Sequence, residues 1–430
     1  MTQVSALETK PLNVLRVSKP SRVLRGTLAL DGSKSISNRA LIALALAGEK
    51  PGDWLSNLST SKDTQTLLQL LEHGQNHYDA GDAGTTFRFL TAFLAIQPGE
   101  QVLTGAARML ERPVGPLVEA LRTLGADITF LGREGYPPLK IGSMQPRSRR
   151  VHVNANVSSQ FLSALLLVGP YLPEGLELVP EGPLVSRPYL DMTLGLMRHF
   201  GAQVDWQGDA MVVAPGRYTP KPLAVEADWS AASYWYAMAA FSTDLDLTLQ
   251  GLQEHSWQGD AVLAKMMQRF GIQTTFGENE VRLQKSGHSP RPIFEQDFLE
   301  CPDIAQTLAV VCAGLGTTGI FSGLETLRIK ETDRIGALKA ELQKLGVSFA
   351  KLPPHFSKKW PDRVFYNVDG LANLTEMPRF ATYGDHRMAM AFAALAMLGP
   401  VEIEHPEVVS KSYPQFWEHL EQMGFELTHV

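Results

Sequence analysis

The stretch LDGSKSISNRALIALALAGE, residues 30–49, sets a glycine, two cationic side chains and three serines directly before a strongly apolar run. Such a segment can cradle a phosphate, and the nearest familiar pattern is the nucleotide-binding loop, in which four residues separate a first Gly from a Gly-Lys-Ser/Thr run. That pattern fails here. Five residues separate Gly26 from Gly32, and Ser33 stands between Gly32 and Lys34. What remains is more general: Ser35, Ser37 and Asn38 can cap a helix, while Lys34 and Arg39 put positive charge near its positive end. An ordinary capped helix and an anion site are both open at this point, and the rest of the chain must choose between them.

Working outward, the apolar run has counterparts. Helices rich in Ala, Leu and Met, apolar on most faces, begin near Ser37, Gly84, Ser159, Asp228, Asp303 and Asp385. Apolarity all round marks a helix buried on all sides. Each is followed by a second kind of helix, amphipathic and ending in Gly, at Gly74, Gly125, Gly201, Gly271, Gly346 and Gly424. Polar residues in the last turn, a glycine in the left-handed C′ position and then, usually, an alternating strand form one grammar. Six copies are not a coincidence. With strand-like runs such as RVHVNANV, DLTLQGL and VEIEHPEV, each unit spans roughly 70 residues of mixed helix and sheet. The reading is an α/β protein divided three plus three, each group closed around its own buried helices. The link between groups is expected near PLAVEADW, after the turn-rich Pro215 to Pro222, which gives one domain at 32–226 and a second at 1–31 plus 227–430. RVLRGTLAL, a strand with no helix of its own, is expected to close the second domain.

Composition narrows the function. At 430 residues and 44% hydrophobic content the chain can fill more than one core. A formal net charge of -6 argues against a general nucleic-acid binder, so any anion site must be local. Cys301 and Cys312 are too few for a disulfide framework and lack His partners at zinc-site spacing. No apolar run reaches membrane-span length, and the first 20 residues carry neither a signal core nor a transit composition. A cytoplasmic protein with no membrane partner is expected.

The openings of the buried helices are polar, and cations gather beside them: Lys34, Arg39, Arg88, Arg112, Lys330, Arg334, Arg387 and Lys411. Taken singly, each is ordinary solvated surface. IKETDRIGALKAEL on its own reads as an exposed ladder of alternating charge, and lone His386 carries no metal signal. Jointly they outline a basic cleft on an acidic protein.

In order along the chain, GSKSISNRA, GDAGTTFRFL, the ERP run, VSSQF, SRPYLD, PDIAQT, KETDR, DHRMAM and SKSYPQFW resemble the 5-enolpyruvylshikimate-3-phosphate synthase family over almost the entire length. The resemblance implies two similar domains of three βαβαββ units each, closing over shikimate 3-phosphate and phosphoenolpyruvate with no metal or organic cofactor, in a monomer of the shikimate pathway that glyphosate inhibits. Carried over motif by motif, Lys34 matches a residue contacting both substrates, and Ser35 and Arg39 match binders of shikimate 3-phosphate. Ser158, Ser159 and Ser186 match its phosphate ligands, Gln160 and Tyr189 line its ring, and Lys330 reaches its hydroxyls. Gly84, Arg112, Arg334, Arg387 and Lys411 match positions around phosphoenolpyruvate, with Arg88 close by. The same resemblance makes Asp303 the base for the attacking 5-hydroxyl and Glu331 the acid that protonates the methylene carbon.

That chemistry suits these residue types. Adding an alcohol to the double bond of an enol phosphate needs a positioned acid and a second basic group, and a small multiply charged reactant needs Arg and Lys. Three positions depart from the commonest family pattern. Asp31 replaces a frequent Pro, Asp82 stands where Asn is frequent, and Thr326 falls where an Asn often contacts shikimate 3-phosphate. Thr86 and Phe89 near Gly84 bear on glyphosate affinity. The rival within the fold is UDP-N-acetylglucosamine enolpyruvyl transferase, whose reactive loop usually carries a cysteine; residues 101–116 here have none. A non-catalytic phosphometabolite-binding protein would need neither Asp303 nor Glu331.

Overall fold

The computed structural model describes residues 13–430 apart from 73, 75, 155–157, 183 and 358–362. Residues 1–12 of the expected second domain, and the end of the RVHVNANV run, therefore lie outside the described residues. The six buried helices are Lys34–Ala47, Gly84–Ala95, Ser159–Val168, Trp229–Phe241, Ala305–Leu315 and His386–Ala393. The first three pack on one another and so do the last three. Two separate apolar cores result, one drawn from residues 36–225 and the other from residues 15–30 and 227–425. Twelve of the 13 residues of Trp229–Phe241 are buried, as expected of a helix without a polar face.

Around each triad lie small sheets, five of four strands and one of two among the described residues. Every four-stranded sheet has the same topology, a parallel pair joined by an antiparallel pair. Two of these sheets are completed from the N-terminal segment. Val23–Ala29, the RVLRGTLAL strand, pairs parallel with Asp244–Gln250. Val14–Ser18 lies between Val401–Glu404 and Glu426–His429. The two-stranded sheet belongs to the first unit, Leu55–Ser56 beside Leu223–Ala224. After Gly74 the chain enters His77–Asp79, already the first strand of the next unit, which leaves no room for a hairpin.

All six unit-ending glycines take positive φ, from 45° at Gly74 to 111° at Gly125, where a side chain would be strained. The helix openings depart from expectation at the first copy. The helix starts at Lys34, with Ser33 at the N-cap making no side-chain cap bond. Ser35, Ser37 and Asn38 therefore do not cap it. Ser37 Oγ accepts from Ser59 N at 3.0 Å, and Asn38 Oδ1 accepts from Thr64 Oγ1 at 2.7 Å, so these polar atoms tie the helix to its neighbour instead.

The halves are joined by two antiparallel crossings bridged at Gly32 and Ala227, with Ser33 N donating to Glu226 O at 2.8 Å. Asp31 belongs to this joint. Its Oδ2 accepts from Thr60 N and Oγ1 at 2.6 and 2.8 Å, an anchorage a proline would lack. A Cβ at Gly32 would stand 1.8 Å from Asn57 O, so only glycine fits. Gly32→Ala is expected to cost about 1–3 kcal/mol through this overpacking, read as a lower urea midpoint.

Candidate active site

The openings of five central helices line one cleft between the halves, through Lys34 and Ser35, Gly84 and Thr85, Ser158 to Gln160, Asp303, and His386 with Arg387. Positive helix ends and free N–H groups thus face a common space. Lys34, Arg88, Arg112, Lys330, Arg334 and Arg387 also line it against three carboxylates, Asp63, Asp303 and Glu331, so the cleft holds a cationic surplus on an acidic chain.

The charges are organised around Arg334, which is 1% exposed. Its Nε donates to Asp385 Oδ2 at 2.7 Å, Nη1 to Asp303 Oδ1 at 3.0 Å, and Nη2 to Glu331 Oε2 at 2.8 Å. The exposed charge ladder expected for KETDRIG does not form. Asp333 caps the helix Arg334–Lys344 by accepting from Ile335 N and Gly336 N, which turns Arg334 inward and leaves Lys330 and Glu331 before the helix, beside the cleft. Asp303 also accepts from Tyr189 Oη at 3.0 Å and meets Arg387 Nη2 at 3.1 Å and Lys330 Nζ at 3.7 Å. Burial opposes its ionisation, but Arg387, Lys330 and Arg334 together hold it below the usual carboxylate range. Glu331 is likewise held well below that range, since Arg334, Lys411 and Arg112 outweigh its burial.

The opposite wall is less well compensated. Arg88 donates to Gln160 Oε1 at 2.8 Å, its Nε is buried without a partner, and the same holds for Arg112 Nε. Burial and then repulsion from Arg112 push the Arg88 pKa well down. Two crowded guanidiniums lacking a carboxylate of their own are suited to holding an anion. Gly84 lies against them: a Cβ there would be 2.5 Å from Arg112 Nη1 and 2.7 Å from Arg88 Nη1. Ser186 has φ 58°, left-handed for a residue with a side chain, and its hydroxyl caps nothing at the helix start. Backbone strain of this kind, beside a cleft, points to function. Ser158 Oγ accepts from Gln160 N at 3.3 Å, and Gln160 Nε2 donates to Thr85 Oγ1.

Two expected residues lie outside the cleft lining. Arg39 is buried one layer behind, donating to Thr193 Oγ1, Ser163 Oγ, Ser35 O and Tyr189 O, because hydroxyls and carbonyls of its own and adjoining helices take up its donors. Burial pushes its pKa down to about 10. Lys411 opens onto an adjoining hollow, donating to Asp82 O at 3.0 Å and lying 3.9 Å from Glu331 Oε1. Asp82 lines that hollow rather than the cleft, and Thr326 lines the cleft with a buried, unpartnered Oγ1. Thr86 and Phe89 do not line it; Thr86 Oγ1 bonds Asp63 O, and Phe89 packs against Arg39.

Sequence reasoning missed Asp63 and His386 as lining residues. Asp63 Oδ2 pairs with Lys34 Nζ at 3.1 Å, yet in sequence it is one acidic residue in a helix's first turn. His386 is 2% exposed with neither ring nitrogen hydrogen-bonded, and burial followed by the Lys34 charge pushes its pKa well below the ordinary value. Contacts across the cleft, Tyr189 to Asp303, Arg108 Nε to Glu331 O at 3.1 Å and Ser186 N to Leu299 O at 3.0 Å, hold the halves closed.

The model of the family described as EPSP synthase (3-phosphoshikimate 1-carboxyvinyltransferase) matches residues 18–77 and 69–420. A 3-phosphoshikimate 1-carboxyvinyltransferase of Bacteroides fragilis is 45% identical over 411 residues, covering 95% of this chain and 97% of the relative. One of Neisseria meningitidis serogroup B is 37% identical over 427 residues, covering 93% and 96%. A solved EPSP synthase of Acinetobacter baumannii shares the fold with a TM-score of 0.73 at 22% identity, over 97% of this chain and 100% of that one. By family model, relatives and fold alike, the chain belongs to the EPSP synthase family.

Proposed function

We propose that this enzyme transfers the enolpyruvyl group of phosphoenolpyruvate to the 5-hydroxyl of shikimate 3-phosphate and releases phosphate, by addition and then elimination. The observation that carries the reading is the arrangement of Asp303 and Glu331 on one buried arginine, Arg334, opposite Arg88 and Arg112, whose buried Nε atoms have no hydrogen-bond partner.

In this reading Ser158, Ser159 and Ser186 hold the phosphate of shikimate 3-phosphate, while Gln160, Tyr189, Ser35 and Lys330 surround its ring. Arg39 serves from behind by holding the backbone of Ser35 and Tyr189. Phosphoenolpyruvate is held by Arg88, Arg112, Arg334, Arg387 and Lys411 beside Gly84 and Gln160, and Lys34 lies between the two substrates. Asp303 takes the 5-hydroxyl proton. Glu331 protonates the methylene carbon, and later recovers a proton from the resulting methyl group as phosphate leaves. The cations alone keep Glu331 ionised; a phosphoenolpyruvate anion seated among Arg112, Arg334 and Lys411 cancels their field and raises its pKa toward that of a working acid. The cationic walls then stabilise the charge on the departing phosphate, and closure excludes water from the intermediate.

The domain boundaries 32–226 and 1–31 plus 227–430 are part of the proposal, supported by the division of the two cores and the crossing at Gly32 and Ala227. So are a monomeric state and a cytoplasmic location; among the described residues no helix is long and apolar enough to cross a membrane. The test is to mix the protein with shikimate 3-phosphate and phosphoenolpyruvate and follow enol ether and released phosphate. Product only with UDP-N-acetylglucosamine would replace the reading by its rival, and tight binding without turnover would favour a binding protein. Lys34→Met is expected to weaken both substrates and lower kcat, by about 100-fold in kcat/KM; unaltered kinetics would remove Lys34 from the site.

A further inference from the structure

Behind the cleft lies a carboxylate that the reaction as described does not use. Asp260, in the short helix Gly259–Val262, is 4% exposed. Its Oδ2 accepts a hydrogen bond from Ser230 Oγ, and its Oδ1 is buried without a partner. Ser230, in the first turn of the one central helix whose start does not line the cleft, also accepts from Arg387 Nη2 at 3.4 Å. That same nitrogen is 3.1 Å from Asp303 Oδ2. Arg387 is thus held between a cleft carboxylate and a hydroxyl tied to a second carboxylate. The Asp260 segment also abuts the other half, since a Cβ on Gly259 would be 2.6 Å from Pro188 Cβ, one residue from Tyr189.

We propose that Asp260 is a positioning residue: through Ser230 it shares the Arg387 guanidinium with Asp303 and so sets the strength of the base that receives the 5-hydroxyl proton. This deepens, and rests on, the functional reading above. The charged and titratable groups around Asp260 are Asp303, Arg387 and Asp228, with Tyr189 and Cys301 feeling its charge in turn. Burial, then repulsion from Asp303, pushes its carboxyl up to about 7 against the pull of Arg387 and the Ser230 hydrogen bond. Below that pH Asp260 is neutral and Arg387 belongs to Asp303. Above it, ionised Asp260 competes for Arg387, and Asp303, less compensated, becomes the stronger base.

The experiment is steady-state kinetics of the full chain with shikimate 3-phosphate and phosphoenolpyruvate between pH 5.5 and 9. Asp260→Asn is expected to lower kcat about 10-fold, with both KM values within about threefold, and to abolish an inflection near pH 7 in kcat. Ser230→Ala should reproduce both changes even if the Asn variant folds poorly, and Ser230→Thr, which keeps the hydroxyl, should restore wild-type behaviour within about twofold. An Asn variant that keeps the wild-type kcat and inflection, or a silent Ser230→Ala, overturns the proposal. So does a lower thermal midpoint with kcat and pH profile unchanged, which would mark a purely structural role. Absence of product from the unaltered chain would overturn the functional reading itself, whereas turnover with unaltered variants overturns this inference alone.

Discussion

Glu331→Gln and Asp303→Asn are each expected to lower kcat by about 10²- to 10⁴-fold, the usual contribution of a positioned acid or base. Both amides preserve size and the ability to accept from Arg334. Binding of shikimate 3-phosphate should therefore change only a few-fold, and isothermal titration beside single-turnover kinetics separates the two effects. The two variants should also differ. Without Glu331 the methylene carbon receives no proton, so neither intermediate nor product accumulates. Without the Asp303 charge, Arg387 and Lys330 lose a partner and remain to attract anions, so substrate affinity should hold or rise. Loss of binding with kcat preserved would reject both assigned roles.

Arg334→Met is expected to harm stability as well as activity. Arg334 joins Asp385, Asp303 and Glu331, and its removal leaves three buried or part-buried carboxylates short of a partner. Breaking a buried pair from one side costs about 3–5 kcal/mol, and a network of this kind belongs at the upper end. Urea denaturation would show it, and a variant within about 1 kcal/mol of wild type would contradict the central place given to Arg334. The dependence on pH has a definite sign. Asp303 and Glu331 have depressed pKa values in the folded protein, so their stabilisation is present above the unfolded-state values near pH 4 and is lost as pH falls through the lower folded ones. Without Arg334 the depression is smaller, and acid unfolding should begin at a higher pH.

The repeat was readable in the chain because its grammar is local. A glycine after an amphipathic helix must satisfy left-handed backbone geometry wherever it stands, and all six do so. An all-apolar helix has only one place to go, the interior. Motif likeness carried the site assignments, and most of those residues line one cleft. Arg39 was legible as a cation near a helix start, but not as one enclosed by Thr193, Ser163 and two carbonyls, since all its partners but Ser35 O come from more than 100 residues away. KETDR looked like an exposed ladder for a similar reason. Periodicity reports which residues share a face, and cannot report that Asp385 and Asp303 wait on the other side.

From its sequence alone this protein's α/β class, three-plus-three division and anion-seeking chemistry were determined, because turn geometry, apolar periodicity and residue charge act over a few residues. Tertiary structure decided how the charges pair and which remain uncompensated: Arg334 shared among three carboxylates, Arg88 and Arg112 sharing none of their own, Asp63 on Lys34, and Asp260 behind Arg387. Electrostatic energy depends on distance and burial, and both are set by contacts between segments far apart in the chain. DGSKSISNR illustrates the division. Its serines and lysine left a capped helix and an anion site both open, and only the fold tied Ser37 to the loop at Ser59 and Asn38 to the next helix and left Lys34 facing the cleft.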